Sequence, residues 1–118
     1  MNNSLITVFT PTFNRAEFLS KVYISLKNQE YKDFEWVIVD DGSSDNTETV
    51  INSFIQEQTI VIHYIKQSNG GKHKAINKGV SVAKGNLFLI LDSDDTLPKD
   101  SLLVIEHHYV DIKDNPSI

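Results

Sequence analysis

Short apolar runs alternate with amphipathic stretches along nearly the whole chain, and few residues fall outside that alternation. Leu5 to Phe9 reads as a strand, and Arg15 to Gln29 as a helix with Leu19, Val22 and Leu26 on one face. Phe34 to Val39 is a second strand, continuously apolar at its end as a buried parallel strand should be. Asp45 to Gln56 is a second helix, opened by Asp45 and Glu48 in capping-box spacing, with Val50, Ile51, Phe54 and Ile55 as its buried stripe. Ile60 to Ile65 alternates as a third strand. Lys72 to Ala83 follows as a helix with Ile76, Gly79, Val80 and Ala83 inward, Gly79 marking close packing on a sheet. Asn86 to Leu91 is the fourth strand, and Pro98 fits the first position of a last helix with Leu102, Ile105, Tyr109 and Ile112 inward. Asn115-Pro116 closes that helix.

Strand and helix alternating this regularly predict an α/β layered sheet of parallel strands joined by right-handed crossovers. In such sheets ligands bind beyond the carboxyl ends of the strands. Two acidic clusters sit at such ends: Asp40-Asp41-Gly42-Ser43 after the second strand, and Asp92-Ser93-Asp94-Asp95 after the fourth. Thr10-Pro11-Thr12-Phe13-Asn14-Arg15 follows the first strand and shares the same edge. Carboxylates there cannot serve a core, because an unpaired buried charge is costly. They suit a cleft holding a cation or a hydroxyl-rich ligand.

Composition narrows the picture further. The 118 residues fit one domain, and no internal repeat or linker divides them. With 11 basic and 16 acidic residues the net charge is −5, which argues against a nucleic-acid partner. Cysteine is absent, so neither a disulfide framework nor a thiolate metal site exists. No signal peptide is visible at the N-terminus, and Leu87 to Leu91 falls far short of the ~20 apolar residues that cross a bilayer. A cytoplasmic location is the expectation. Charge is also segregated: no Asp or Glu occurs from Gln58 to Leu91, where Lys66, Lys72, Lys74, Lys78 and Lys84 all fall. That stretch either meets an anion or forms a solvated helix face.

The stretches TPTFNR (10–15), VIVDDGSSDNT (37–47), GGKHKAINKG (70–79) and LDSDD (91–95) resemble, in order and spacing, the inverting GT-A-type glycosyltransferases of family 2. The resemblance runs from about Leu5 to Leu102. It implies a Rossmann-like α/β/α fold with a mostly parallel four-stranded sheet, residues 1–118 forming the part that binds a nucleoside diphosphate-sugar. The implied donor nucleotide site comprises Pro11, Thr12, Asn14, Arg15, Asp40, Asp41, Gly71, Lys72, Asp92 and Ser93. Asp41 would contact the base, while Asp40 either joins it or supports the turn that Gly42 allows. Asn14 either caps the first helix or meets the ligand, and Arg15 either reaches a phosphate or sits in solvent. Gly70, Gly71 and Lys72 open the third helix, whose N-terminus favours anions. Asp94, with Asp92, resembles the family's binding signature for Mn²⁺ or Mg²⁺, hard cations that prefer oxygen ligands. Asp95 lies either near the donor sugar or at a helix cap.

The resemblance further implies inverting transfer from a UDP-sugar to an acceptor glycan or lipid-linked glycan, in bacterial polysaccharide or cell-surface glycan synthesis. Such a reaction needs a general base. In the family that carboxylate and the acceptor surface lie beyond the position of Ile118, as would any peripheral attachment to the inner membrane face. The chain alone is expected to be inactive, with an exposed sheet edge open to homodimerisation. Three other readings compete. A non-catalytic nucleotide-sugar-binding module would carry the same motifs. A phosphoacceptor receiver domain would need its acidic pair after the first strand. A sugar nucleotidyltransferase would need a glycine-rich loop there, and PTFNR has none.

Overall fold

The computed structural model describes residues 5–114, with side chains described through Tyr109. Its elements follow the expected alternation: β1 (Ile6–Thr12), α1 (Ala16–Lys27), β2 (Phe34–Asp40), α2 (Thr47–Glu57), β3 (Val61–Lys66), α3 (Gly71–Val82), β4 (Leu87–Ile90) and α4 (Ser101–Asp114). The four strands form one parallel sheet in the order β3-β2-β1-β4. β1 runs farther than its apolar stretch predicts, because Pro11 and Thr12 stay paired with Val39 and Asp40 of β2.

Two apolar layers sandwich the sheet. On one face Ile6, Val8, Trp36 and Ile38 pack against Leu19, Val22, Tyr23 and Leu26 of α1, Ile51 and Phe54 of α2, and Leu102 of α4. Tyr23 and Phe54 stack with centroids 4.1 Å apart, and the buried Trp36 donates its indole N–H to Thr10 Oγ1 at 2.9 Å. On the other face Phe9, Val37 and Val39 meet Ala75 of α3. Each fully buried large side chain contributes about 1.5–3 kcal/mol. The first layer, with far more of them, carries most of the stability.

Two buried polar side chains set the ends of elements. Glu35 accepts hydrogen bonds from Thr7 Oγ1 at 2.5 Å and Lys84 N at 2.7 Å, with His63 Nε2 at 3.2 Å. The α3–β4 connection is thereby tied to the middle of the sheet, and the carboxylate is not left unpaired. Gln29 donates to the Pro98 carbonyl at 2.7 Å and accepts from Leu102 N at 3.1 Å.

The same capture corrects the expected start of the last helix. Pro98 is not its first residue; α4 begins at Ser101, whose N–H donates to the Pro98 carbonyl at 3.0 Å. Two stripes are also rotated from expectation. Ile55 is 37% and Val80 56% exposed, while Ala75 and Gly79 form the buried face of α3. The capping box of α2 does not close. Asp45 accepts from Thr47 N at 3.1 Å, but Glu48 turns away to Lys66 at 3.5 Å. The inward position expected for Ile112 and the closure at Asn115-Pro116 lie outside the described residues.

Gly79 lies against the buried Phe9 ring, and a Cβ there would overlap the ring's edge. Alanine is the better helix former by about 1 kcal/mol, but overpacking costs about 1–3 kcal/mol. Gly79→Ala should therefore lower the urea midpoint. A raised midpoint would mean that helix propensity outweighs this contact.

Candidate functional site

The site is built by the backbone before any side chain takes part. Thr12 pairs with Asp40, the Asp41 N–H donates to the Thr12 carbonyl at 2.9 Å, and the Leu91 N–H donates to the Phe9 carbonyl at 2.8 Å. These bonds bring the ends of β1, β2 and β4 to one rim. A cleft of about 400 Å³ opens there, lined by Pro11, Thr12, Phe13, Arg15, Asp41, Lys72, Ala75, Asp92, Ser93 and Asp94.

Adjacent acids Asp40 and Asp41 take opposite directions, as successive strand residues must. Asp40 is buried on the side of Trp36 and Ile38, where Oδ1 accepts from Ser43 N at 2.9 Å and Oδ2 from the Tyr64 hydroxyl at 2.6 Å. Burial and that carboxylate push the Tyr64 hydroxyl above its ordinary pKa. Gly42, at φ +84°, lets the chain turn back over this anchor. Asp41 instead faces α3. Its Oδ1 accepts from Gly70 N at 2.8 Å and Gln67 Nε2 at 2.9 Å, and its Oδ2 from Gly71 N at 3.0 Å. The Gly70 N–H, followed by the Gln67 carboxamide, holds this carboxyl below the ordinary 3.8. The anion at the N-terminus of α3 is thus the chain's own carboxylate, contrary to the expectation that these N–H groups await a ligand.

Across the cleft Asp92 and Asp94 are exposed, and Ser93 between them is buried. Neither carboxylate accepts a hydrogen bond from the described residues, so both remain available as oxygen ligands. Thr12 Oγ1 is the one buried side-chain polar atom among the described residues without a partner. Alternation along β1 puts this hydroxyl on the side of Thr10 and Trp36, so Thr12 meets the cleft without it. Arg15 and Lys72 supply positive charge to the same cleft, and Arg15 lies 5.7 Å from the Phe18 ring centroid.

Six expected nucleotide-site residues line the cleft directly beside Asp41 and Asp94: Pro11, Thr12, Arg15, Lys72, Asp92 and Ser93. Asn14, Asp40, Gly71 and Asp95 do not. Asn14 adopts φ +53°, and its Oδ1 accepts from Ser44 N at 2.8 Å and Asp45 N at 3.3 Å. It ties the β1 and β2 loops together and does not cap α1, whose first residue Ala16 donates instead to Asp45 Oδ2 at 3.3 Å. Asp95 caps no helix; its N–H closes a turn onto the Asp92 carbonyl at 3.1 Å. His73, Lys74 and Lys78 are exposed on α3. Two cleft residues escaped the sequence reading. Phe13, 46% exposed, was legible as an aromatic inside a polar loop, whereas nothing local marks Ala75.

The model of the family described as "Glycosyl transferase family 2" matches residues 7–112. Glycosyltransferase GlyG of Streptococcus pneumoniae is 33% identical over 112 residues, covering 95% of this chain and 37% of that protein. The structure of Staphylococcus aureus TarS 1–349 in complex with UDP superposes with a TM-score of 0.84 at 26% identity, covering 90% of this chain and 32% of that one. Mannosyltransferase PcManGT from Pyrobaculum calidifontis, in complex with GDP-Man and Mn²⁺, gives 0.79 at 26% identity, covering 84% and 30%. The chain thus spans about a third of the length of these relatives. Its strand order, its rim of motifs and these likenesses agree: the chain belongs to glycosyl transferase family 2 and carries the N-terminal portion of the GT-A fold.

Proposed function

We propose that this chain binds the donor, a nucleoside diphosphate-sugar with UDP as the leading nucleotide, for a sugar transfer with inversion onto an acceptor hydroxyl. The observation that carries this reading is the meeting of Asp41, Asp92 and Asp94 with Arg15 and Lys72 in one cleft at the carboxyl edge of the sheet. The binding of UDP by TarS and of GDP-Man with Mn²⁺ by PcManGT supports it.

Each cleft residue has a task suited to its chemistry. Asp41 accepts an N–H of the base, and the exposed Phe13 ring offers a stacking face, a contact worth about 1–3 kcal/mol per base in single-stranded nucleic-acid binding. Arg15 and Lys72 face the diphosphate. Asp94, with Asp92, fits a divalent ion: both are exposed oxygen donors whose carboxylates have no hydrogen-bond partner among the described residues. The described residues hold no cluster of three or more ligating side chains, which suits an ion shared between one or two carboxylates and the donor's phosphates. Bound there, Mn²⁺ or Mg²⁺ would neutralise charge on the diphosphate as the glycosidic bond breaks.

The cleft carboxylates are taken up by base and metal, so the general base and the acceptor surface are assigned to the region of the full-length enzyme that follows this one. The acceptor class proposed is a glycan or lipid-linked glycan of the bacterial cell surface. No helix among the described residues is long and apolar enough to cross a membrane.

Calorimetric titration with UDP and GDP, with and without Mn²⁺, tests the donor site. UDP should bind more tightly with Mn²⁺, and Asp94→Ala should abolish that gain, about tenfold or more in affinity, the scale of a lost charge-assisted contact. Equal UDP affinity in Asp94→Ala and wild type at saturating Mn²⁺ would remove the metal assignment. Incubated with UDP-sugars and acceptor glycans, the 118-residue chain should release no UDP above background; sugar transfer by it would place the general base within these residues.

A further inference from the structure

Resting on that reading of the cleft, we propose that Gln67 is a positioning residue for its base end, holding Asp41 so that the carboxylate's remaining lone pair faces the ligand. Gln67 does not line the cleft and acts only through Asp41. Its place is fixed by the sheet: its N–H donates to the Asp40 carbonyl at 2.8 Å, carrying the β2–β3 ladder one residue beyond the Asp40–Lys66 pair. From there Nε2 reaches Asp41 Oδ1 at 2.9 Å.

The count of acceptor sites gives this bond its consequence. An ionised carboxylate offers about four lone-pair positions. On Asp41 the Gln67 and Gly70 donors fill Oδ1, and Gly71 takes one position on Oδ2. One position on Oδ2 is left for a ligand N–H. Both Gly donors come from the glycine-containing turn into α3, whereas the Gln67 backbone is bonded to the end of β2. Of the three donors it is the one that can fix the plane of the carboxylate independently of that turn. Glutamine is also suited chemically. Only its NH₂ can face an acceptor-only carboxylate, so the orientation of the amide is set, and glutamate there would place two negative charges in contact. The charged groups around Asp41 are Lys74, which attracts it from α3, and Arg15, Lys72, Asp92 and Asp94, which line the same cleft.

The test uses the whole 118-residue chain and two substitutions, Gln67→Glu and Gln67→Ala. At neutral pH Gln67→Glu should weaken UDP binding about tenfold, the loss expected for a hydrogen bond to a charged group. Between about pH 8 and about pH 5 its affinity should recover relative to wild type as the carboxylate pair takes up one proton. Gln67→Ala should bind more weakly at every pH without that recovery. A wild-type UDP affinity and pH profile in Gln67→Glu would overturn the proposal.

A second readout needs no ligand. The ¹³C resonance of the Asp41 carboxyl should titrate below 3.8 in the wild type and move up towards 3.8 in Gln67→Ala. An unchanged titration there would overturn the positioning role even if the chain bound no nucleotide, which separates this failure from failure of the donor-site reading.

Discussion

Parallel pairing of β2 and β4 on either side of β1 is the constraint from which the site follows. The ladder bonds continue to Thr12, Asp40 and Leu91, so each chain segment leaves the sheet at the same rim and within reach of the others. Negative side chains repel one another and would not gather there on their own account. They are gathered by backbone hydrogen bonds and by a core in which Trp36, Ile38, Val8 and Ile6 are fully buried. The electrostatic cost is then offset locally, by N–H donors at Asp41 and by the Tyr64 hydroxyl and Ser43 N–H at Asp40.

Strand alternation decides which acid does what. Asp40 shares its side of the sheet with Ile38 and with Tyr64, the residue that β3 pairs with Ile38, so its carboxylate is carried inward to a fixed partner. Asp41, one residue on, points towards α3 and the cleft. Two neighbouring acids of identical chemistry therefore become an anchor and a ligand-facing group through position alone. A substitution at Asp40 acts on the turn at Ser43, whereas one at Asp41 acts on the loop from Gln67 to Gly71.

Much of this was legible before any coordinates, because strand and helix periods differ and each acidic cluster directly follows a strand. The inward stripe of α1, the close packing at Gly79 and the shared rim of the three motifs all rest on such local patterns. The misreadings at Pro98 and Asn14 share a physical cause: long-range hydrogen bonds overrode local signals. Pro98 carries a helix-start signal, but Gln29, far away in sequence, captures its carbonyl and Leu102 N together. Asn14 carries an N-cap signal, yet its oxygen serves the loop of Ser44 and Asp45. The α2 and α3 stripes were misread because each holds adjacent apolar residues. Only the geometry of packing decides which of Phe54 and Ile55, or Gly79 and Val80, faces the sheet.

The two N–H groups that Asp41 takes at the N-terminus of α3 bear on how the diphosphate of the proposed donor would be held. A free helix start attracts phosphate through its unsatisfied N–H groups and its dipole, but Gly70 and Gly71 already give theirs to Asp41. Arg15 and Lys72 are the cationic side chains that line the cleft, against the three carboxylates Asp41, Asp92 and Asp94. The diphosphate of the proposed donor would be repelled by these carboxylates unless a cation came with it. On the proposed reading, the cleft's charge balance would favour a divalent ion at Asp92 and Asp94: the carboxylates would repel the donor alone and attract it as a metal complex.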